Sequence, residues 1–266
     1  MGSHHKPTGT SIVGCCWVFT VKQNPDGTID HLKARLVTKG FTQTYGFDYI
    51  ETFSPIAKLN SIRIIISLDT NLNWPLHQLD VKNAFLHGDL NETVYMAQPP
   101  RFESKGECVC YLQKSIYGLK QSPRAWFDKF SKTVVSDGMT RSQVNHSVFF
   151  KTKIGIVILV VYVDDIVIIG SEKKGIQVLI NHLNLSFLTK YLGKLHYFLG
   201  IEVARSKVRI SLSQRKYTLD ILQDTGYLGS KLVATPMESN LKLIPDEGDF
   251  VNDQTPITNL GVNLFI

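Results

Sequence analysis

The sequence predicts an α+β fold: an antiparallel sheet of the split βαβ, ferredoxin-like kind, with helices on one face. Three observations predict it. Between residues 76 and 203 the chain reads strand–helix–strand–strand–helix–strand. The middle strands, in IGIVILVVYVDDIVIIG, form one apolar run that turns back at two adjacent carboxylates, Asp164 and Asp165. The intervening segments SPRAWFDKFSKTVVSDG and GIQVLINHLNLSFL space their apolar residues as amphipathic helices do.

Each element follows from local chemistry. CWVFTVK alternates and ends at NPDGT, so residues 16–22 pair with HLKARLVTKG as a hairpin. FSPIAK is a loop, followed by a helix from about Leu59 to Leu72 that Asn and Pro stop. LHQLDVKNAFLHG is a strand with one acidic residue, Asp80, near its end, and VYMAQPP and CVCYLQKSIYG are short strands. In the next helix Trp126, Phe127, Phe130 and Val134 form the apolar stripe, and Ser122–Pro123 predicts a capped start with an early proline. HSVFFKTK is a strand leading into the apolar run. HYFLGIEVARSKVRISLS reads as a hairpin turning near Arg205–Lys207, and YTLDILQDTG as a short helix with a glycine stop. Past about Thr235 the sequence is polar and aperiodic.

The bulk numbers exclude some classes. The chain has 266 residues, 43% hydrophobic and 20% charged, which suits one large globular domain or two small ones. Its formal net charge of +6 is compatible with a polyanionic partner without identifying one. No apolar run reaches the ~20 residues of a membrane span. The N-terminus has no apolar signal segment, so an intracellular protein, cytoplasmic or nuclear, is expected. Cys15, Cys16, Cys108 and Cys110 form two close pairs whose spacing does not match zinc ligation, so reduced thiols are expected.

The adjacent aspartates pose the chemical question. Neighbours in a regular strand face opposite sides, so Asp164 and Asp165 cannot both line one face. A buried, unpaired carboxylate takes up a proton or finds a cation. Either the pair sits at a hydrated turn, or something positive waits there. The sheet order above brings the end of QLD beside VDD, so Asp80 would join them. Three converging carboxylates suit Mg²⁺, a hard ion that binds through one or two carboxylates plus substrate phosphates. Two such ions stabilise the attacking and leaving oxygens of a phosphoryl displacement. Separately, Lys33 and Arg35 alternate within HLKARLV and share one strand face, which is either simply solvated or suited to phosphate oxygens.

YVDD between apolar strands, with LDVKNAFLHGDL upstream, resembles the reverse transcriptase of copia-type long-terminal-repeat retrotransposons. The likeness extends through WVFTVKQNPDGTIDHLKARLVTKGFTQTYGFDY, ETFSPIAKLNSIR, YGLKQSPRAWF, HYFLGIEV, LSQRKYTLDIL and ATPMESNLKL, from about Gly14 to about Pro256. It implies a right-hand polymerase fold, fingers plus a ferredoxin-like palm, with the thumb largely missing. The implied domain spans 12–245: fingers about 12–57 and 88–120, palm about 58–87 and 121–212, connection or start of the thumb 213–245. Residues 246–266 are left as a poorly defined tail.

The implied activity is RNA-directed DNA polymerisation: transfer of dNTPs onto a primer 3′-OH, on an RNA or DNA template-primer duplex, with two Mg²⁺ ions or Mn²⁺ in their place. By family position Asp80, Asp164 and Asp165 are the catalytic and metal-binding carboxylates. Val81 contributes through its backbone, and its amide and that of Lys82 would lie near the triphosphate. Lys33, Arg35, Lys82, Phe85, Tyr117, Gly118 and Gln121 are assigned to the nucleotide, with Phe85 as the aromatic gate that rejects a 2′-OH. Leu199 and Gly200 would seat the primer end, and Arg205 and Lys207, followed by Arg209, would meet duplex phosphates. Lys39, Lys58 and Arg63 extend the basic track. Lys190 or Lys194 matches the lysine that would protonate pyrophosphate, and the sequence does not choose between them.

The chain departs from the family's usual wording at Cys16, where a basic residue is common, at Asn83 in DVKTAF, at Tyr191 in KDLG, and at Arg101 in QPPGF. Ribonuclease H, integrase and protease sequence is absent, which points to an excised piece of a polyprotein. The alternative is a truncated, catalytically silent remnant that keeps the fold and nucleic-acid binding.

Overall fold

A computed structural model describes residues 2–5, 7, 9–24, 26–103, 108–153, 155–206 and 209–231. The chain divides into two compact units, Met1–Lys194 and Leu195–Ile266.

In the first unit the elements run β1 (Gly2–His5), β2 (Ile12–Val13), β3 (Cys15–Gln23), β4 (Ile29–Thr38), α1 (Leu59–Leu72), β5 (Leu76–Val81), β6 (Asp89–Ala97), β7 (Cys108–Lys114), α2 (Ser122–Ser136), β8 (Thr140–Arg141), β9 (Val148–Lys151), β10 (Val157–Tyr162), β11 (Asp165–Gly170), α3 (Lys173–Ser186) and β12 (Thr189–Gly193). Short 3₁₀ turns occupy Gly40–Thr42 and Ala84–His87. The second unit adds β13 (Tyr197–Phe198), β14 (Ile201–Arg205), β15 (Ile210–Ser213) and α4 (Arg215–Asp224).

The central sheet has six strands in the order β12–β5–β11–β10–β9–β8. Its first four are the expected split βαβ set, with one correction. The fourth strand is β12, TKYLG, and not HYFLGIEV, which forms β13 and β14 in a separate three-stranded sheet. β12 is a short edge strand with mostly exposed side chains and a bulge between Tyr191 and Gly193, so it lacks the apolar alternation that marks a half-buried strand.

Alternation decides which face is covered. Leu79 and Val81 of β5, Leu159 and Val161 of β10, and Ile166 and Ile168 of β11 pack with Trp126, Phe127, Phe130 and Val134 of α2 and Ile176, Leu179, Ile180 and Leu183 of α3. Both helices therefore lie on the same face of the sheet. Each such side chain contributes about 1.5–3 kcal/mol of burial, so the sheet is anchored by its most apolar strands. The residues of opposite parity, Gln78, Asp80, Asp165 and Val167, belong to the other face.

Helix α2 starts differently from expectation. Ser122 is already helical, Gln121 is the cap residue without a side-chain cap bond, and the Ser122 hydroxyl donates backwards to the Ile116 carbonyl at 2.6 Å. Helix α3 is capped by Glu172, whose carboxylate accepts from the amides of Lys174 and Gly175.

The β3–β4 hairpin stands as its own two-stranded sheet, and β1–β7–β6–β2 form a four-stranded one. The hairpin turns where NPDGT predicts, with Gly27 at φ 85 and the Thr28 amide donating to Asp26 at 2.9 Å. All four cysteines are free thiols. Among the described residues no helix is long and apolar enough to cross a membrane.

Candidate active site

Asp80, the penultimate residue of β5, lies directly opposite Asp165, the first residue of β11, in the antiparallel ladder. Directly opposed residues share a face, with Cβ atoms about 4.5–5.5 Å apart. Asp164 precedes them in a two-residue loop, Val163–Asp164, closed by the pairing of Tyr162 with Asp165. The puzzle of adjacent aspartates is thereby resolved: Asp165 obeys strand parity and Asp164, in the loop, does not have to. The Val81 amide donates to the Asp164 carbonyl at 2.7 Å, tying the loop to the end of β5.

The electrostatics match a cation site. Burial first, then the Asp164 charge, pushes the Asp165 carboxyl up to about 6, while a long hydrogen bond from Gln78 Nε2 at 3.4 Å pulls the other way. Burial also raises Asp164, with Asp80 adding to the shift and Arg35 and Lys33 opposing it. Clustered, partly buried carboxylates that resist ionising are what a divalent ion would relieve. Among the described residues no three acidic, His or Cys side chains form a ready-made metal cage. Mg²⁺ needs none, since one or two carboxylates suffice when water and phosphate oxygens complete its shell. The donor set of Asp80 and Asp164, with Asp165 beside them, fits such an open site.

Next to the carboxylates stands an aromatic and cationic wall. Phe85, in the 3₁₀ turn after β5, meets Tyr117 edge to face with ring centroids 4.9 Å apart. The Arg35 guanidinium carbon lies 6.0 Å from the Tyr117 ring centroid. Burial raises the Tyr117 phenol, with Asp164 adding to the shift and Arg35 opposing it. Strand β4 thus delivers Arg35 and its same-face neighbour Lys33 to the carboxylates, while β5 and the segment before α2 deliver the two rings.

Other assigned residues are placed differently. Gly118, at φ 95, comes so close to β4 that a Cβ would overlap the Thr38 backbone. The Thr38 amide also donates to the Tyr117 carbonyl at 2.8 Å. The close approach that glycine permits here is to β4. Gln121 is buried, accepting from Gln43 Nε2 at 3.0 Å and donating to the Asp48 carbonyl at 3.2 Å, so it braces a loop. The Val81 and Lys82 amides, expected near a triphosphate, already have backbone partners. The first is bonded to Asp164 and the second donates to the Leu188 carbonyl at 2.9 Å. Lys190 pairs with Asp80 across β12 and β5, whereas Lys194 lies beyond the end of β12. Lys39, Lys58 and Arg63 are exposed.

Within the second unit, Leu199 and Gly200 form the two-residue turn joining β13 to β14, both at positive φ (50 and 74), as tight hairpins require. Arg205 ends β14, and Arg209 lies in the following turn, its amide donating to Ser206 Oγ at 3.0 Å. Lys207 lies outside the described residues. Two departures from the family wording also gain a setting: Asn83 and Arg101 occupy the left-handed region at φ 53 and 72, which asparagine accepts readily and arginine less so.

Two contributors escaped the reading of the sequence. Gln78 sits two residues before Asp80 on the same strand face, so period-two counting on QLD held the signal. Trp126 reads as core, yet its indole N–H donates to the Val163 carbonyl at 2.6 Å. The only hint was that a buried indole needs a hydrogen-bond acceptor.

The sequence profile of the reverse transcriptase (RNA-dependent DNA polymerase) family matches residues 4–239. The chain is 45% identical over 252 residues to the retrovirus-related Pol polyprotein from transposon RE2 of Arabidopsis thaliana, covering 94% of this chain and 17% of that protein. It is 44% identical over 252 residues to its counterpart from transposon RE1 of the same plant, again covering 94% and 17%. The corresponding polyprotein from transposon TNT 1-94 of Nicotiana tabacum is 42% identical over 243 residues, covering 89% of this chain and 18% of that one. The chain thus spans less than a fifth of the length of these relatives.

Proposed function

Because the chain belongs to the reverse transcriptase (RNA-dependent DNA polymerase) family of copia-type transposons, we propose that it is a nucleotidyl-transfer core. It extends a primer 3′-OH with deoxynucleotides on an RNA or DNA template. The observation that carries this reading is the placement of Asp80 opposite Asp165 with Asp164 in the adjoining loop. In this reading β3–β4 is the fingers hairpin, the six-stranded sheet with α2 and α3 is the palm, and the second unit begins the passage to the thumb.

Asp80 and Asp164 would hold Mg²⁺, or Mn²⁺ in its place, with Asp165 shaping their field. Divalent ions bound there supply neutralisation of triphosphate charge and a more acidic primer hydroxyl. The protein's own groups do the rest. Arg35 and Lys33 bind phosphate oxygens as the charges on the far side of the site. Phe85, braced by Tyr117, closes the space beneath the sugar and so excludes a 2′-OH. Lys190, across from Asp80, is better placed than Lys194 to give a proton to departing pyrophosphate. The Leu199–Gly200 turn, Arg205 and Lys207 take primer and duplex phosphates by family position.

The test is primer extension on poly(rA)/oligo(dT) with Mg²⁺ or Mn²⁺. Asp164→Asn is expected to lower extension on the order of 10³-fold or more, with duplex binding in a filter assay unchanged. Near-normal extension by that variant overturns the assignment. Duplex binding by the wild-type chain without any extension would favour the silent remnant instead.

A further inference from the structure

The Asp164 loop contains a backbone conformation that its own residues disfavour. Val163 adopts φ 51, the left-handed region, where a β-branched side chain is a steric outlier. Strain of this kind, about 1–3 kcal/mol, persists only where surrounding structure over-determines it. Here the loop itself is short of support. Tyr162 and Asp165 close it from below, a two-residue closure that itself favours positive φ, and the Val81 amide holds the Asp164 carbonyl, but neither contact holds the Val163 carbonyl.

Helix α2 supplies that fixture. Trp126 Nε1 donates to the Val163 carbonyl at 2.6 Å. The indole is itself immobile: it is 2% exposed and packs edge to face on Phe187 at 5.0 Å, with Phe130 tilted against it at 5.5 Å. The helix is brought close at this point because Gly88 lies against its backbone, where a Cβ would overlap Ala125 and Trp126. A rigid donor on the covered face of the sheet thus grips the peptide on the N-terminal side of Asp164, while the Val81 amide holds the peptide that follows it.

We propose that Trp126 is a positioning residue for the polymerase reaction: its indole N–H locks Val163 in the left-handed conformation and so aims the Asp164 carboxylate at the metal position. This rests on the polymerase reading for its consequence, though the clamp itself does not. The physical reason is leverage. Val163 and Asp164 are the only two residues of the loop, so a rotation at the first moves the carboxylate of the second directly. A displacement near 1 Å at a reacting centre costs up to about 10²-fold in rate.

The test uses the full chain and Trp126→Phe, which keeps a ring and deletes the donor. In primer extension on poly(rA)/oligo(dT), kcat is expected to fall about tenfold. The Mg²⁺ concentration for half-maximal rate should rise about threefold or more, while KM for the template-primer stays unchanged. A purely structural role would lower the melting temperature and the active fraction without moving the metal dependence. If Trp126→Phe melts far below wild type, β-(3-benzothienyl)alanine at position 126 preserves the bicyclic shape without the N–H and should give the same shift. Either folded variant showing wild-type kcat and Mg²⁺ dependence overturns the proposal.

Two further measurements sharpen the outcome. On a Val163→Gly background, where φ 51 carries no penalty, Trp126→Phe should cost less than half its original factor. An equal cost on both backgrounds overturns the strain argument. Amide hydrogen exchange at residues 163–166 should accelerate about tenfold or more in Trp126→Phe relative to β9. Unchanged exchange there overturns the clamp. Absence of extension by wild type together with accelerated exchange in the variant would overturn the polymerase reading and leave the clamp standing.

Discussion

Two hairpins of this protein, β10–β11 and β3–β4, share a motif and differ in everything that fixes it. In the first, β11 is buried from Ile166 through Gly170, so the strand is packed on both faces. In the second, Phe19 and Leu32 are 75% and 76% exposed, and cross-strand pairing does most of the holding. Support for β3–β4 comes at its base, where the Thr38 amide bonds to the Tyr117 carbonyl and the Lys39 amide to the Gly14 carbonyl. The difference matches what each carries. The buried hairpin presents Asp164 and Asp165, which in the proposed reading would hold or flank metal and would then need sub-ångström placement. The exposed one presents Lys33 and Arg35, long cations whose effect falls off gradually with distance. Coordination of the proposed kind would demand a packed support, whereas supplying positive charge does not.

Substitutions can break this contrast, and the largest effect belongs in the buried hairpin. Leu159→Ala should destabilise the chain by about 2–5 kcal/mol, read as the urea midpoint. A loss below 1 kcal/mol would mean that β10 is not the packed support described.

A smaller effect, with a sign that depends on pH, is expected at Asp165. Its folded-state pKa, about 6, exceeds the ordinary carboxylate value of 3.8. Ionising it therefore opposes folding: its contribution is most favourable below about pH 4 and is lost as the pH rises through about 6. Without divalent cation, Asp165→Asn should stabilise the protein at pH 7.5 by up to about 3 kcal/mol before solvent screening is discounted. It should do nothing at pH 3.5. A melting temperature raised equally at both pH values would show that charge burial is not the cause.

In the exposed hairpin Arg35→Ala should raise KM for dNTP about tenfold, near 1.4 kcal/mol, with little change in melting temperature. If KM holds and the fold weakens instead, Arg35 is bracing Tyr117 rather than binding phosphate. The smallest effect is Phe19→Ala, expected within about 0.5 kcal/mol of wild type in the same urea titration. A loss as large as that of Leu159→Ala would erase the distinction between the hairpins.

Much of this architecture was legible in the residues. α1 spans the expected Leu59–Leu72 because its apolar spacing and its Asn-Pro stop both act within a few residues. β10 and β11 were legible because apolar runs interrupted by a turn have few alternative foldings. β12 was not, since edge strands bury too little to leave a pattern. Ser122 does not cap α2 as its sequence position suggests, because the Ile116 carbonyl, six residues back, takes its hydroxyl. Gln121 and Gly118 show the same limit, for their contacts with Gln43, Asp48 and Thr38 join stretches more than seventy residues apart along the chain.

The sequence by itself determined the family, the strand and helix types, and the three carboxylates, because periodicity and motif spacing are local properties of the chain. Tertiary structure alone decided that Asp80 faces Asp165 rather than Asp164 across the ladder, that Phe85 meets Tyr117, and that an indole from α2 grips Val163. Register and side-chain reach between distant segments are set by the packing of whole elements, and no single stretch of residues encodes them.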